Sequence, residues 1–220
     1  MAKSGAASRF SSDGTARSAA TRRALIDAAV ETLKSAGFCG ASARAIAERA
    51  GCNQALIFYH FGSVVALLLA ALDDVSTSRL ARYRSAVEQV GSLGELVDVA
   101  GGIFSDDLDA GHVAVLVEMI AGSSSTPGLG PEVADRIAPW TEFARRSIDE
   151  VLADSSIGSL LPSAELAHAV VALYLGLELL AQLDGDRGPA TALFERARAL
   201  VGVLEALGVH TAKRKEPSPP

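Results

Sequence analysis

The stretch ASARAIAERAGCNQALIFYHFGSVVALLLAAL, Ala41 to Leu72, decides how this chain folds. It holds two short apolar-periodic segments separated by the turn Gly51-Cys52-Asn53. Ser42 stands where an N-cap belongs, ahead of Ile46, Ala47 and Ala50, and Gly51 follows as a left-handed stop. Asn53 can cap the second segment, Gln54 to Phe61, in which Ile57 and Phe61 fall on one helical face. Gly62-Ser63 ends it and opens a long helix from Val64 to about Val90. A short Gly-containing turn between two short helices is the helix-turn-helix pattern.

Outward from this stretch, helical periodicity continues in both directions. Leu25, Ile26, Ala29, Val30 and Leu33 form one apolar stripe, closed by Gly37 in a left-handed cap position. Ser92 and Glu95 have capping-box spacing before a helix to about Leu108, and another apolar segment runs from His112 to Ala121. Gly and Pro punctuate Ser123 to Pro131, which reads as a loop. Pro131 suits the first turn of a helix carrying Val133, Ile137, Trp140, Phe143, Ile148 and Val151. Ala164 to Leu183 and Pro189 to about Leu207 complete nine helices. No run alternates as a strand does. The expected fold is all-α. An N-terminal three-helix domain (19–65) precedes a larger helical domain (66–208), with a disordered arm (1–18) and tail (209–220).

The composition agrees. Of 220 residues, 49% are hydrophobic and 5% aromatic, and 40 are alanine, the strongest helix former. Two cysteines, Cys39 and Cys52, exclude a disulfide scaffold, so a reduced, cytoplasmic protein is expected. Both also read as small buried residues. The N-terminus lacks the apolar core of a signal peptide. Neither Ala50 to Leu72 nor Leu166 to Leu183 is an uninterrupted lipid-facing span; His168, Glu178 and Gln182 break the second. Four scattered histidines, no nucleophile–base pair and no metal spacing argue against an enzyme and imply no cofactor. The formal charge of −6 hides an asymmetry, +4 over residues 1–65 and −10 over the rest. A basic first part on an acidic body suggests that only the first part meets a polyanion; chance imbalance is the plain alternative.

The segment Gln54 to Phe61 carries the functional expectation. With Ile57 and Phe61 in the core, Gln54, Leu56 and Tyr59 point elsewhere, flanked by Ala55 and His60. Gln can read adenine, apolar side chains meet thymine methyls, and Tyr and His can donate to phosphates. Periodicity alone fits Leu56 and Tyr59 to a groove face or to burial under another helix equally well.

Gly37-Phe38, Ser42, Arg44-Ala45-Ile46-Ala47, Gly51, Phe58-Tyr59-His60-Phe61 and Ser63 resemble, in order and spacing, the DNA-binding segment of the TetR family of bacterial transcription regulators. The resemblance covers about Thr21 to Leu72. It implies a dimeric regulator of double-stranded DNA, a repressor released from a palindromic operator by a small, largely apolar effector. Ser42, Arg44, Gln54, Ala55, Leu56, Tyr59, His60 and Ser63 would contact DNA. One departure stands out: the family places Lys after that Ser, and here the residue is Val64, so one phosphate contact should be missing. Arg9, Arg17, Arg22 and Arg23 could compensate from the N-terminal arm or could be an ordinary solvated helix start.

For the body, the resemblance implies a ligand pocket and a dimer face. Pocket candidates are Tyr83, Phe104, His112, Met119, Trp140 and Phe143, with Glu118 and Asp98 as acids, and each fits plain core or surface as well. Two terminal stripes suit a four-helix dimer interface: His168, Val171, Ala172, Leu175 and Leu179, then Leu193, Ala197, Leu200, Leu204 and Leu207. Intrachain packing is the alternative there. A competing reading of the whole is a helical dimeric interaction module with weakened DNA binding.

Overall fold

The computed structural model describes residues 6–153 and 162–207. Among them the elements are α1 (Ala6–Gly40), α2 (Ala43–Ala50), α3 (Ala55–Phe61), α4 (Val64–Val87) and α5 (Leu93–Ala110). The series continues with α6 (His112–Ser123), α7 (Leu129–Leu152), α8 (Ser163–Asp184) and α9 (Gly188–Ala206), nine helices with no strand among the described residues.

The caps sit where the sequence puts them. Ser42 Oγ accepts from Ala45 N at 3.2 Å, and Gly51 closes α2 at φ 64°. Asn53 Oδ1 accepts from Ala55 N at 2.8 Å, and Ser63 Oγ from Ala66 N at 3.0 Å. Ser92 Oγ takes Glu95 N at 3.2 Å, while Glu95 reaches back to Gly91 N at 2.7 Å, one residue before the amide a capping box uses.

Three expectations need correcting. The arm expected over residues 1–18 is helical from Ala6, because α1 extends well before the apolar stripe. Ala6, Ala7, Ala16, Ala19 and Ala20 favour helix, and without a Pro one glycine does not stop it. The helix is interrupted only at Gly37, whose φ of 69° and ψ of −179° set a kink. The loop expected over Ser123 to Pro131 is shorter, since α7 begins at Leu129 and takes Pro131 into its first turn. The cysteines are not core residues: Cys39 is exposed and Cys52 half-buried. Past the kink it is Phe38, next to Cys39, that turns toward α6. The tail expected over 209–220 lies outside the described residues.

The chain forms two compact units that do not follow each other in sequence: Met1–Ser76 with Ala114–Val133, and Thr77–Val113 with Ala134–Pro220. In the first, α1 packs on α2. Leu25, Ala29, Leu33, Ile46, Ile57, Leu67 and Ala71 are completely buried. Here α6 grips the kink. Phe38 N donates to Glu118 Oε2 at 2.8 Å, and the Phe38 ring lies where a Cβ on Gly122 would meet it at 2.4 Å. In the second unit, α5 packs on α9 and α8 through Phe104, Ala181 and Ala190, with Tyr174 and Phe194 against them. Ile148, Leu152 and Ala167 tie α7 to α8.

Candidate DNA-reading surface and buried polar cluster

The α3 helix has one deep anchor. Ile57 is completely buried, which turns the opposite side outward. Tyr59 is 78% exposed and Phe58 52% exposed; Gln54 and Ala55 are exposed, and Leu56 and His60 half-buried. The ambiguity of Tyr59 is thereby resolved toward the surface. Large rings left in water on a short helix mark a contact face. His60 stands edge-on to Tyr59, ring centroids 5.0 Å apart. The motif by itself does not mark Phe58 as a surface ring; only the phase of the helix about Ile57 reveals it.

The neighbouring groups leave this face accessible. Arg44 makes only an exposed pair with Glu48 at 3.2 Å, an interaction worth little in water. The hydroxyls of Ser42 and Ser63 accept cap hydrogen bonds and keep their protons to donate. Arg22 lies over the Phe61 ring at 5.1 Å. Arg23 bridges Asp27 at 2.6 Å and Asp74 at 2.7 Å, and these partners raise its already high pKa. Of the arginines that might replace the missing lysine, Arg23 therefore already has carboxylate partners.

The pocket candidates separate. Glu118 is bound to the Phe38 amide, and Met119, completely buried, lies in the same first unit. Phe104, Trp140 and Phe143 lie in the second, as do Tyr83 and His112. Asp98 is exposed and pairs with Arg198 at 3.1 Å.

The second unit centres on a residue that the sequence does not single out. Asp107 is completely buried. Arg79 Nε donates to its Oδ1 at 2.9 Å, and Arg79 Nη2 holds its Oδ2. Tyr174 donates to Oδ2 at 2.6 Å, Tyr83 donates to Oδ1, and His112 Nδ1 lies 3.4 Å from Oδ1. Burial opposes the Asp107 charge, but the hydrogen bonds and charge of Arg79, then the two tyrosines, outweigh it and hold its carboxyl below the usual range. Burial and Asp107 push both tyrosines up, so they stay protonated donors. Arg79 also lies over the Trp140 ring at 4.8 Å, and Phe143 stands edge-on to Trp140 at 6.5 Å. A cavity of about 440 Å³ between α5 and α9 has Phe104 and Phe194 among its walls.

The expected dimer stripes lie largely on exposed surface. His168, Ala172, Leu179, Leu193 and Leu200 are exposed, and Val171, Leu175, Ala197 and Leu204 half-buried. Leu173, Leu180, Leu183, Val203 and Leu207 widen the apolar area. Among the described residues, α8 is long and apolar enough to cross a membrane by length and composition. Its fully buried Glu178 interrupts that apolar stretch, and one side of α8 packs on α5 and α7.

The profile of bacterial regulatory proteins of the tetR family matches residues 25–71, the three-helix segment and the start of α4. The HTH-type transcriptional regulator UidR of Escherichia coli K12 is 24% identical over 183 residues, covering 83% of this chain and 91% of its own. Among solved structures, a TetR-family regulator from Cytophaga hutchinsonii superposes with a TM-score of 0.72 at 18% identity, over 90% of this chain and 98% of that one. GusR of Salmonella enterica gives 0.67 at 19% identity, over 84% and 94%. FadR of Bacillus subtilis, solved with stearoyl-CoA, gives 0.67 at 16% identity, over 81% and 96%. The profile falls on the helices that present Tyr59, and the likeness in fold extends through the unit built on Asp107: residues 25–71 match the tetR family of bacterial regulatory proteins, and the chain is a DNA-binding transcriptional regulator.

Proposed function

We propose that the protein is a homodimeric, cytoplasmic repressor that reads a palindromic operator with α3 and leaves it when a small molecule binds the second unit. The observation that carries this reading is the exposed face of α3, with Tyr59 and Phe58 in solvent and Ile57 locked beneath. Gln54 and Ala55 would meet base edges and Leu56 a thymine methyl, while Tyr59, His60, Ser42 and Ser63 hold phosphates. Arg44 would take a guanine or a phosphate. One such helix binds weakly, whereas two related by a dyad read half-sites about one helical turn, or a multiple, apart. The exposed leucines of α8 and α9 are the surface for that dyad.

Helices α4, α6 and α7 each contribute residues to both units, so a ligand shifting them acts on the first unit through continuous backbone. It does so only by favouring one conformation over the other. Stearoyl-CoA bound to the FadR structure shows what one protein of this fold accommodates. Here Phe104, Trp140 and Phe143 are the candidate apolar walls. An interaction module with a weakened DNA grip is the second reading, favoured by Val64 where a lysine would add a phosphate contact.

Selection of random duplex DNA by the full-length protein, with sequencing of the retained pool, tests the proposal. Enrichment of an inverted repeat is the expected result. Absence of any enrichment at low salt, with and without cell-extract metabolites, would favour the interaction module.

A further inference from the structure

The Asp107 cluster leaves one acid unanswered. Glu178, on α8 one turn beyond Tyr174, is completely buried, and neither carboxyl oxygen has a hydrogen-bond partner. The hydroxyl of Tyr174 has one proton, and it goes to Asp107. Arg79, the buried cation of the cluster, faces Asp107 with two donors. The remaining arginines whose charge reaches the cluster are exposed and paired: Arg82 with Asp106 at 3.6 Å and Arg187 with Asp109 at 2.5 Å. Burial, then the Asp107 charge, pushes the Glu178 carboxyl up to about 7, against the lowering influence of the Arg79 charge, the nearby Tyr174 hydroxyl and the Arg187 charge, although the Tyr174 hydroxyl makes no well-aligned hydrogen bond to it. A buried polar group without a partner is a standing penalty to the fold. A ligand that supplies the missing positive charge would remove it.

The surroundings fit such a ligand. Only 5% of the chain is aromatic, yet Tyr83 and Tyr174 both reach Asp107, Tyr83 meets Trp140 at 5.9 Å, Tyr174 meets Phe104 at 5.6 Å, and Phe104 meets Phe194 at 5.4 Å. Phe104 stacks edge-on against Tyr174 on one side and lines the α5–α9 cavity on the other. Aromatic faces attract cations, and more strongly when water is excluded. We propose that Glu178 is the recognition group of the effector site and that the effector is an organic cation, a protonated or quaternary amine on an aromatic or apolar body. This rests on the ligand-responsive reading above. It adds the charge of the ligand and the residue that detects it: the ammonium lies against Glu178 and Tyr174, and the body extends past Phe104.

The test uses the full-length protein and a homologous series of phenylalkylammonium ions, each paired with the neutral alcohol of the same skeleton. Trp140, the sole tryptophan, reports by fluorescence, with calorimetry as an optically independent measure. At least one ammonium ion should bind saturably, its alcohol about tenfold or more weaker. Glu178→Gln should weaken the cation by a similar factor and leave the alcohol unchanged. At about pH 8 the same variant should unfold at or above the wild-type temperature, since it removes an uncompensated carboxylate without changing shape.

Equal binding of the alcohols would overturn the proposal, as would undiminished cation binding by the Gln variant. A marked fall in its unfolding temperature, showing a structural role, or no saturation by any cation below about 1 mM, would do the same. Retention of selected duplex DNA is measured in parallel on both proteins. DNA binding without cation binding removes only this inference, whereas cation binding without DNA binding removes the regulator reading and leaves the site.

Discussion

Gly122→Ala is the substitution whose sign the structure decides against the usual rule. Gly122 is the penultimate residue of α6, where the helix preference for Ala over Gly is at most the interior value of about 1 kcal/mol. At Gly122 the added Cβ would lie 2.4 Å from Phe38 Cγ and 2.5 Å from both Cδ atoms, deep inside van der Waals contact with the ring. The ring cannot simply retreat with its backbone, because Glu118 on the same α6 holds the Phe38 amide at 2.8 Å. Overpacking of this kind costs about 1–3 kcal/mol, so a net loss of up to about 2 kcal/mol remains after the helix gain. For a chain of this length that is a fall in Tm of at most about 4–8 °C. A double-mutant cycle with Phe38→Ala isolates the clash. Once Phe38→Ala has removed the ring, the same Gly122→Ala change should become neutral or stabilising. Thermal unfolding by circular dichroism measures all four proteins. A rise in Tm for Gly122→Ala alone, or the same shift in both backgrounds, would refute the packing of α6 on the kink.

Three further outcomes follow from the geometry. Asp107→Asn leaves Arg79 buried without its counter-charge and should destabilise by about 3–5 kcal/mol in denaturant unfolding. Because the Asp107 carboxyl lies below its ordinary value of 3.8, that advantage is full above this value and is lost as pH falls further. The wild-type lead over Asp107→Asn should thus shrink only in strong acid. Val64→Lys restores a cation beside Ser63 and should tighten DNA binding at low salt, steepening the log–log salt slope by about one; an unchanged slope would show that this position does not face a phosphate. Leu200→Glu, at a side chain 60% exposed, should halve the sedimenting mass, and an unaltered mass would place the dimer face elsewhere.

The DNA-reading half was legible because local chemistry determines it. Ser42, Gly51, Asn53, Gly62 and Ser63 act through hydrogen bonds or dihedral angles within three or four residues of themselves, so their spacing shows where α2 and α3 start and stop. Once α3 is fixed, burial of Ile57 sets its phase. What periodicity left open, whether Tyr59 meets solvent or another helix, depends on what packs behind α3. That is a tertiary fact. The helical arm escaped the sequence for a related reason: residues 6–20 have no apolar stripe, and α1 extends into them on alanine propensity and continuity alone.

The buried cluster was illegible for a different reason. Arg79, Asp107, Tyr174 and Glu178 stand on three helices far apart in sequence, and on each helix they resemble a solvated face interrupting an apolar one. Asp107 lies in the run Asp106-Asp107-Leu108-Asp109, where nothing distinguishes the acid at 0% exposure from its exposed neighbours. Glu118 and Asp98 stand out in the sequence as acids within apolar segments, and both prove to be held by one partner each. The distinguishing property of Asp107 is the convergence of Arg79, Tyr83 and Tyr174, and that of Glu178 is the lack of any such convergence. A charge that several groups satisfy fixes the packing of α4, α5 and α8. A charge that none satisfies is retained at a cost to the fold. Within one unit the two acids therefore divide the work, Asp107 holding the helices together and Glu178 left for a ligand that brings the missing charge.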